Sequence, residues 1–179
     1  MMDLVIRDAT EDDAAACAAI YAPYVTDTAI SFELEPPTAD EMAERITAAN
    51  KDHAWLVAED AGRTIGYAYA TTFSARAAYR WSCTTSIYLE LGRHRKGVGR
   101  TLYQALLDRL TDLGYRQALA GMTLPNDASA GLHRALGFEP VGTYRQVGWK
   151  YGQWRDVAWT QKTLPTTDGP PRPTNGTVV

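Results

Sequence analysis

The stretch that most constrains this chain reads Ser86-Ile87-Tyr88-Leu89-Glu90-Leu91-Gly92-Arg93-His94-Arg95-Lys96-Gly97-Val98-Gly99-Arg100-Thr101-Leu102. Its apolar start predicts a β-strand, its basic, glycine-bearing centre a tight turn, and its end the opening of an amphipathic helix. Leu102, Leu106, Leu110 and Leu113 recur at helical spacing, with Asp108, Arg109 and Asp112 on the other face. Gly97 and Gly99 remove side chains where the backbone enters that helix, so consecutive N–H groups can approach a ligand. Amides at a helix N-terminus carry partial positive charge, and Arg93, Arg95, Lys96 and Arg100 add full charges, which suits a pyrophosphate. Two common phosphate loops are excluded. Gly92 and Gly97 have the Walker A spacing, but Val98-Gly99 stand where Lys-Ser/Thr is required. The dinucleotide pattern G-x-G-x-x-G fails at Leu102.

Around this centre the chain reads as one α/β domain. At 179 residues it is long enough for a full core. A net charge of −3 argues against general nucleic-acid binding, because the basic cluster is local. Cys17, in an alanine-rich helical run, and Cys83, in a strand, read as small core residues rather than a disulfide pair. Asp3 and Arg7 interrupt the N-terminus early, and no apolar stretch reaches membrane-span length, so a cytoplasmic protein with no membrane partner is expected.

In order, residues 4–7 predict a strand. Thr10 and Asp13 form a capping box for a helix through 14–21 that Pro23 limits, and 26–37 is irregular. A second helix spans 38–50, with Met42 and Ile46 on its apolar face. The runs 54–59 and 64–70 around Ala61-Gly62 form an antiparallel hairpin. After a loop at 73–80 come strand 81–89 and the central helix, strand 117–122, helix 128–136, and a closing strand pair, 138–147 and 155–161, around 148–154. The order β-α-α-β-β-β-α-β-α-β-β implies a mixed, mostly antiparallel sheet flanked by helices. The domain is expected to span 1–164, and 165–179, rich in Pro, Thr and Gly, to stay disordered.

The segment His94-Arg95-Lys96-Gly97-Val98-Gly99 resembles the acyl-CoA pyrophosphate loop of the GCN5-related N-acetyltransferases (GNAT), written Q/R-x-x-G-x-G/A, with His94 where Gln or Arg is usual. Asn126-Asp127-Ala128-Ser129-Ala130-Gly131-Leu132-His133-Arg134-Ala135-Leu136-Gly137-Phe138 resembles the family's N-x-x-A/S-x-x-L-Y-x-x-x-G-F segment, with His133 at the usual tyrosine. The likeness narrows further. Trp55-Leu56-Val57-Ala58-Glu59, Ala75-Arg76-Ala77-Ala78-Tyr79-Arg80-Trp81, Leu124-Pro125-Asn126-Asp127, Gly148-Trp149-Lys150-Tyr151-Gly152-Gln153-Trp154-Arg155-Asp156-Val157 and the proline-rich end Pro170-Pro171-Arg172-Pro173 look like the phosphinothricin N-acetyltransferase subfamily. One departure stands out. That subfamily reads W-x-x-E-x-x-V-Y on the central strand, where this chain has Trp81-Ser82-Cys83-Thr84-Thr85-Ser86-Ile87-Tyr88, so Thr84 replaces the proposed base.

The resemblance implies the GNAT fold, acetyl-CoA as co-substrate without a metal, a small amine acceptor of the glutamate-analogue type, and a homodimer. It implies cofactor contacts from Ile87, Tyr88, Leu89, His94, Arg95, Lys96, Gly97, Val98, Gly99, Arg100, Asn126, Ser129 and His133. His133 takes the position that protonates the departing thiolate, and a histidine suits that task near neutral pH. Because threonine cannot accept a proton at neutral pH, Thr84 is expected to hold a water and the base to move to Glu35 or Glu33. A backbone N–H near Tyr88 or Leu89 would serve the oxyanion if the strand splays there. Phe32, Arg76 and Tyr79 are expected to meet the acceptor, with the guanidinium on an anionic group. Trp149, Tyr151, Trp154 and Trp159 read as core, dimer interface or acceptor pocket. Two alternatives stay open, a GNAT enzyme for another small amine and a catalytically weak acetyl-CoA-binding module.

Overall fold

The computed structural model describes residues 3–92 and 97–165. His94, Arg95 and Lys96, with residues 166–179 of the expected disordered tail, lie outside them. Among the described residues seven strands form one sheet in the order β1-β2-β3-β4-β5-β7-β6. They are β1 (Leu4–Asp8), β2 (Trp55–Asp60), β3 (Arg63–Thr72), β4 (Ser82–Leu89), β5 (Gln117–Thr123), β6 (Glu139–Lys150) and β7 (Gln153–Thr163). The helices are α1 (Ala14–Thr26), α2 (Ala39–Asp52), α3 (Val98–Asp112) and α4 (Asp127–Ala135), with short 3₁₀ turns at Glu11–Asp13 and Ala77–Tyr79. Every pairing is antiparallel except β4 with β5.

Period-two alternation assigns the two faces. On β2, Leu56 and Ala58 join Leu102, Tyr103, Leu106 and Leu110 of α3 in one core, while Trp55 and Val57 join Cys17, Ile20, Tyr21, Met42 and Ile46 of α1 and α2 in the other. The sheet is thus sandwiched between helix pairs and hydrophobic on both faces. Both cysteines are buried and free, Cys17 in one core and Cys83 in the other.

Three expectations need correction. Pro23 does not stop α1, which continues to Thr26. Proline removes one N–H and crowds the carbonyl four residues back, but a single turn survives when its last carbonyls find partners elsewhere, as they do here. The closing strands are longer than expected, because the link between β6 and β7 is only the turn Tyr151-Gly152, at φ 53° and 68°. Asp8, Asp60 and Thr72 extend their strands.

Irregular register between Tyr144 and Gly148 bends β6, with Gln146 at φ 51° and its N–H on Asp156 Oδ1 at 2.7 Å. The end of the hairpin meets α1 and the loop after it: Tyr151 hydrogen-bonds Val25 and Thr26 carbonyls, and Phe32 lies against Gly148, where any Cβ would strike its ring.

Candidate active site

The site begins where two strands part company. β4 and β5 pair only from Ser82 with Gln117 to Thr84 with Leu119; beyond that β5 pairs with β7 alone. Parallel neighbours that stop pairing leave backbone groups free on their facing edges. Glu90 donates its N–H to Ile65 of β3 at 2.9 Å, so by strand alternation Tyr88 and Ser86 also direct their backbone groups to β3. Thr85, Ile87 and Leu89 therefore face β5. Leu89 spends its carbonyl on the Tyr24 hydroxyl at 2.6 Å. Ile87 N–H, Ile87 C=O and Leu89 N–H remain directed into the gap.

That gap holds a cleft of about 320 Å³ lined by Thr85, Ser86, Ile87, Tyr88 and Leu89 of β4, Ala120 to Met122 of β5, and Ser129, Leu132 and His133 of α4 with its N-cap Asn126. At its mouth α3 begins. Gly97 is its N-cap at φ 100°, a left-handed conformation that costs any L side chain, and Val98, Gly99 and Arg100 form the first turn, whose N–H groups have no partner among the described residues. Gly99 lies against Leu89, whose Cδ1 would sit 3.1 Å from a Cβ there.

On the α1/α2 side a second cavity is lined by Tyr21, Ser31, Phe32, Glu33, Thr84, Thr123, Val157 and Trp159. Ile30, Ser86, Tyr88 and Gly121 border both cavities, so the two meet through the gap. Such an arrangement lets two molecules enter from opposite faces of the sheet and touch at its centre.

The expected site residues distribute unevenly. Ile87, Tyr88, Leu89, Asn126, Ser129 and His133 line the cleft, while Thr84, Phe32 and Tyr88 line the second cavity. Glu35 is exposed and borders neither, whereas Glu33, two residues earlier, reaches the second cavity. Arg45 holds Glu33 bidentately at 2.7 and 2.9 Å and the Tyr21 hydroxyl donates to it at 2.9 Å, so its carboxyl stays below the ordinary carboxylate range. Arg76 lines a separate cleft with Lys51, His53 and Tyr115, and Tyr79 packs edge-on to Phe73 at 5.5 Å.

His133 is 4 % exposed and engaged through both ring nitrogens. Nδ1 lies 2.7 Å from the Ser129 carbonyl, which only accepts, so Nδ1 carries the hydrogen. Burial pushes the imidazole below its ordinary value, so the ring is neutral at neutral pH and Nε2 accepts from Tyr103 at 3.1 Å. Thr85 Oγ1 closes the chain 2.7 Å from the Tyr103 oxygen, and the Leu119 carbonyl at 3.1 Å is a second acceptor for it. Tyr103 was not singled out from the sequence; its signal was a hydroxyl on an otherwise leucine face, which must find a partner when buried. Tyr88 packs among Tyr21, Tyr24 and Tyr67, and burial raises its hydroxyl well above the ordinary value.

Among the described residues no group of His, Cys, Asp and Glu forms a metal site, and no helix is long and apolar enough to cross a membrane.

Known proteins resemble the chain along most of its length. A family model for the GNAT acetyltransferase domain matches residues 6–159. Phosphinothricin N-acetyltransferase of Streptomyces viridochromogenes is 38% identical over 94% of this chain and 91% of its own length. The L-methionine sulfoximine/L-methionine sulfone acetyltransferase of Pseudomonas aeruginosa is 37% identical over 95% of this chain and its entire length. A crystal structure of a GNAT phosphinothricin acetyltransferase from Sinorhizobium meliloti with acetyl-CoA superposes with a TM-score of 0.90 at 38% identity, covering 96% of this chain and 94% of that one. With the family model covering most of its length and relatives at 37% and 38% identity, the chain belongs to the GNAT family of acetyltransferases.

Proposed function

We propose that this protein transfers the acetyl group of acetyl-CoA to the primary amine of small amino acids of the phosphinothricin and methionine sulfoximine type. One observation carries the reading: the cleft bordered by free backbone groups of Ile87 and Leu89 meets a second cavity through the gap in the sheet. The residues fit acetyl-CoA. Ile87 and Leu89 offer an unpaired strand edge to the pantetheine amides, and the amides of Val98, Gly99 and Arg100 with the Arg100 charge suit the pyrophosphate. Bound acetyl-CoA supplies a thioester carbonyl open to attack by an amine.

Around that carbonyl the chain's own groups divide the work. Leu89 N–H or Ile87 N–H is the donor for negative charge on its oxygen. Thr84 and Ser86 hold the water that takes the amine's proton, and the Glu33 carboxylate draws the ammonium form to the acceptor cavity. Tyr88, kept protonated by burial at the junction of the cavities, passes its proton to the departing thiolate and regains one from the water that took the amine's proton. His133, neutral and tied to Ser129 and Tyr103, shapes the cleft wall beside it. Phe32, Val157 and Trp159 give the acceptor cavity its apolar surface.

We assign a cytoplasmic homodimer to the same reading. β6 is an edge strand that leaves Val141, Tyr144, Val147 and Trp149 each more than half exposed, with Trp154 of β7 packed on Trp149 at 5.2 Å. Apolar edges of this kind are normally covered. Thr84 favours a second reading, the same chemistry on another small amine. Release of CoA thiol should be followed against phosphinothricin, methionine sulfoximine, methionine sulfone, common amino acids and polyamines. Turnover of the first three at kcat/KM of about 10⁴ M⁻¹s⁻¹ or more supports the proposal. Turnover of other amines alone replaces the substrate. Saturable acetyl-CoA binding without turnover makes the protein a binding module.

A further inference from the structure

Residues 27–37 carry no regular structure, yet Ser31, Phe32 and Glu33 form one wall of the acceptor cavity. A segment without a hydrogen-bond ladder must be held by groups from elsewhere. Much of the holding comes from one buried lysine at the end of β6. Lys150 is 4 % exposed, and its Nζ donates to the carbonyls of Val25 at 2.7 Å, Ser31 at 2.7 Å and Glu33 at 2.9 Å. An ammonium has three N–H donors, and three backbone carbonyls take them all.

The grip also completes the end of α1. A helix leaves its last four carbonyls unpaired. Here Pro23 O accepts from Asp27 N–H at 2.9 Å, Tyr24 O from the Thr28 hydroxyl at 2.7 Å, Val25 O from Lys150, and Thr26 O from the Tyr151 hydroxyl. A positive charge is favourable at that end of the helix dipole. Both Lys150 and Tyr151 therefore tie the β6–β7 turn to α1, but only Lys150 reaches onward to the acceptor wall.

We infer that Lys150 is a positioning residue for acceptor recognition, one ammonium fixing the wall at Ser31 and Glu33 to the end of α1 so that the β6–β7 turn governs the acceptor without touching acetyl-CoA. The inference rests on the proposed function for the identity of that cavity. Removing the ammonium strands the Ser31 and Glu33 carbonyls, leaves Val25 only the Tyr151 hydroxyl it shares with Thr26, and frees the wall, whereas removing the Tyr151 hydroxyl loosens only the helix end.

The test compares Lys150→Met with Tyr151→Phe, reading acceptor KM, kcat, acetyl-CoA Kd and residue-level amide exchange. Lys150→Met is expected to raise acceptor KM about tenfold or more while acetyl-CoA Kd moves by less than about twofold. Amides of 30–34 should exchange faster with those of β4 unchanged, and Tyr151→Phe should alter neither. Should Lys150→Met not fold, Lys150→Arg decides. It keeps the charge, but its planar fork cannot aim three N–H groups at three converging carbonyls, and acceptor KM should rise at least about threefold. An unchanged acceptor KM in the folded variant, or acceptor KM and acetyl-CoA Kd rising together as they also do in Tyr151→Phe, overturns the inference. If the wild type acetylates no amine, the proposed function falls, and exchange at 30–34 still decides whether Lys150 holds that wall.

Discussion

Replacing Tyr103 by Phe removes one oxygen from a place where its loss can be counted. Tyr103 is fully buried, its hydroxyl lies between Thr85 Oγ1 at 2.7 Å and His133 Nε2 at 3.1 Å, and its ring packs on His133 and Phe138. Phenylalanine keeps the packing. Thr85 loses little, because its proton turns to the Leu119 carbonyl 3.1 Å away. His133 has no such reserve, since Nδ1 is committed to Ser129 and Nε2 is left a buried acceptor without a donor. An orphaned buried acceptor costs about 1–3 kcal/mol. For a chain of this size each kcal/mol lowers Tm by about 2–4 °C, so a central cost of about 2 kcal/mol corresponds to about 4–8 °C. Urea titrations at pH 7 should show a lower midpoint with an unchanged slope. Combined with Thr85→Val, the cycle should return a coupling of at least about 0.5 kcal/mol. Tyr103→Phe within about 0.3 kcal/mol of wild type, or two strictly additive substitutions, would refute the hydrogen-bonded chain through Tyr103.

Other expectations follow from the same geometry. Gly97→Ala places a side chain at φ 100°, so stability should fall by about 1–2 kcal/mol in urea titration and acetyl-CoA should bind more weakly by calorimetry. Gly148→Ala drives a methyl into the Phe32 ring, and steady-state kinetics should show a raised acceptor KM with acetyl-CoA Kd unchanged. The third concerns acid. Arg7 donates to both carboxylate oxygens of Asp13 at 2.8 and 2.7 Å and holds its carboxyl below the ordinary 3.8. The folded chain thus binds that proton less readily than the unfolded chain, so the stabilisation is complete above pH 3.8 and is lost as pH falls through the lower folded value. Wild type should exceed Asp13→Asn in stability at pH 7, and acid titration of both should show the gap closing below pH 3.8.

Most of the fold was legible because alternation and punctuation agree. Leu56 and Trp55 fall on opposite faces of β2 as a period of two demands, and Ala61-Gly62 makes its turn with both residues at positive φ. Where the sequence misled, tertiary contacts had overruled local preference. α1 outlasts Pro23 because Lys150 and Tyr151 supply partners for its last carbonyls from more than a hundred positions away. The β6–β7 turn was hidden because Tyr151 adopts φ 53°, a conformation a tyrosine does not advertise. In the site, the strand and the glycine turn were legible from spacing and the α4 segment from the family resemblance, since each belongs to a regular element. It could not choose between Glu33 and Glu35, because 27–37 has no period to decide which side chain turns inward. Nor could it foresee that Arg76 would line a separate cleft with His53 and Tyr115.

The most direct test of the central claim is backbone amide exchange by NMR with and without acetyl-CoA. If the cleft between β4 and β5 is where the cofactor lies, Ile87 and Leu89 N–H, which face the gap without a strand partner among the described residues, should become protected together with Val98, Gly99 and Arg100, while Ser86 and Tyr88, already paired with β3, should change little. Saturable acetyl-CoA binding that leaves Ile87 and Leu89 exchanging at their free rate would contradict the assignment of the cleft and the chemistry built on it.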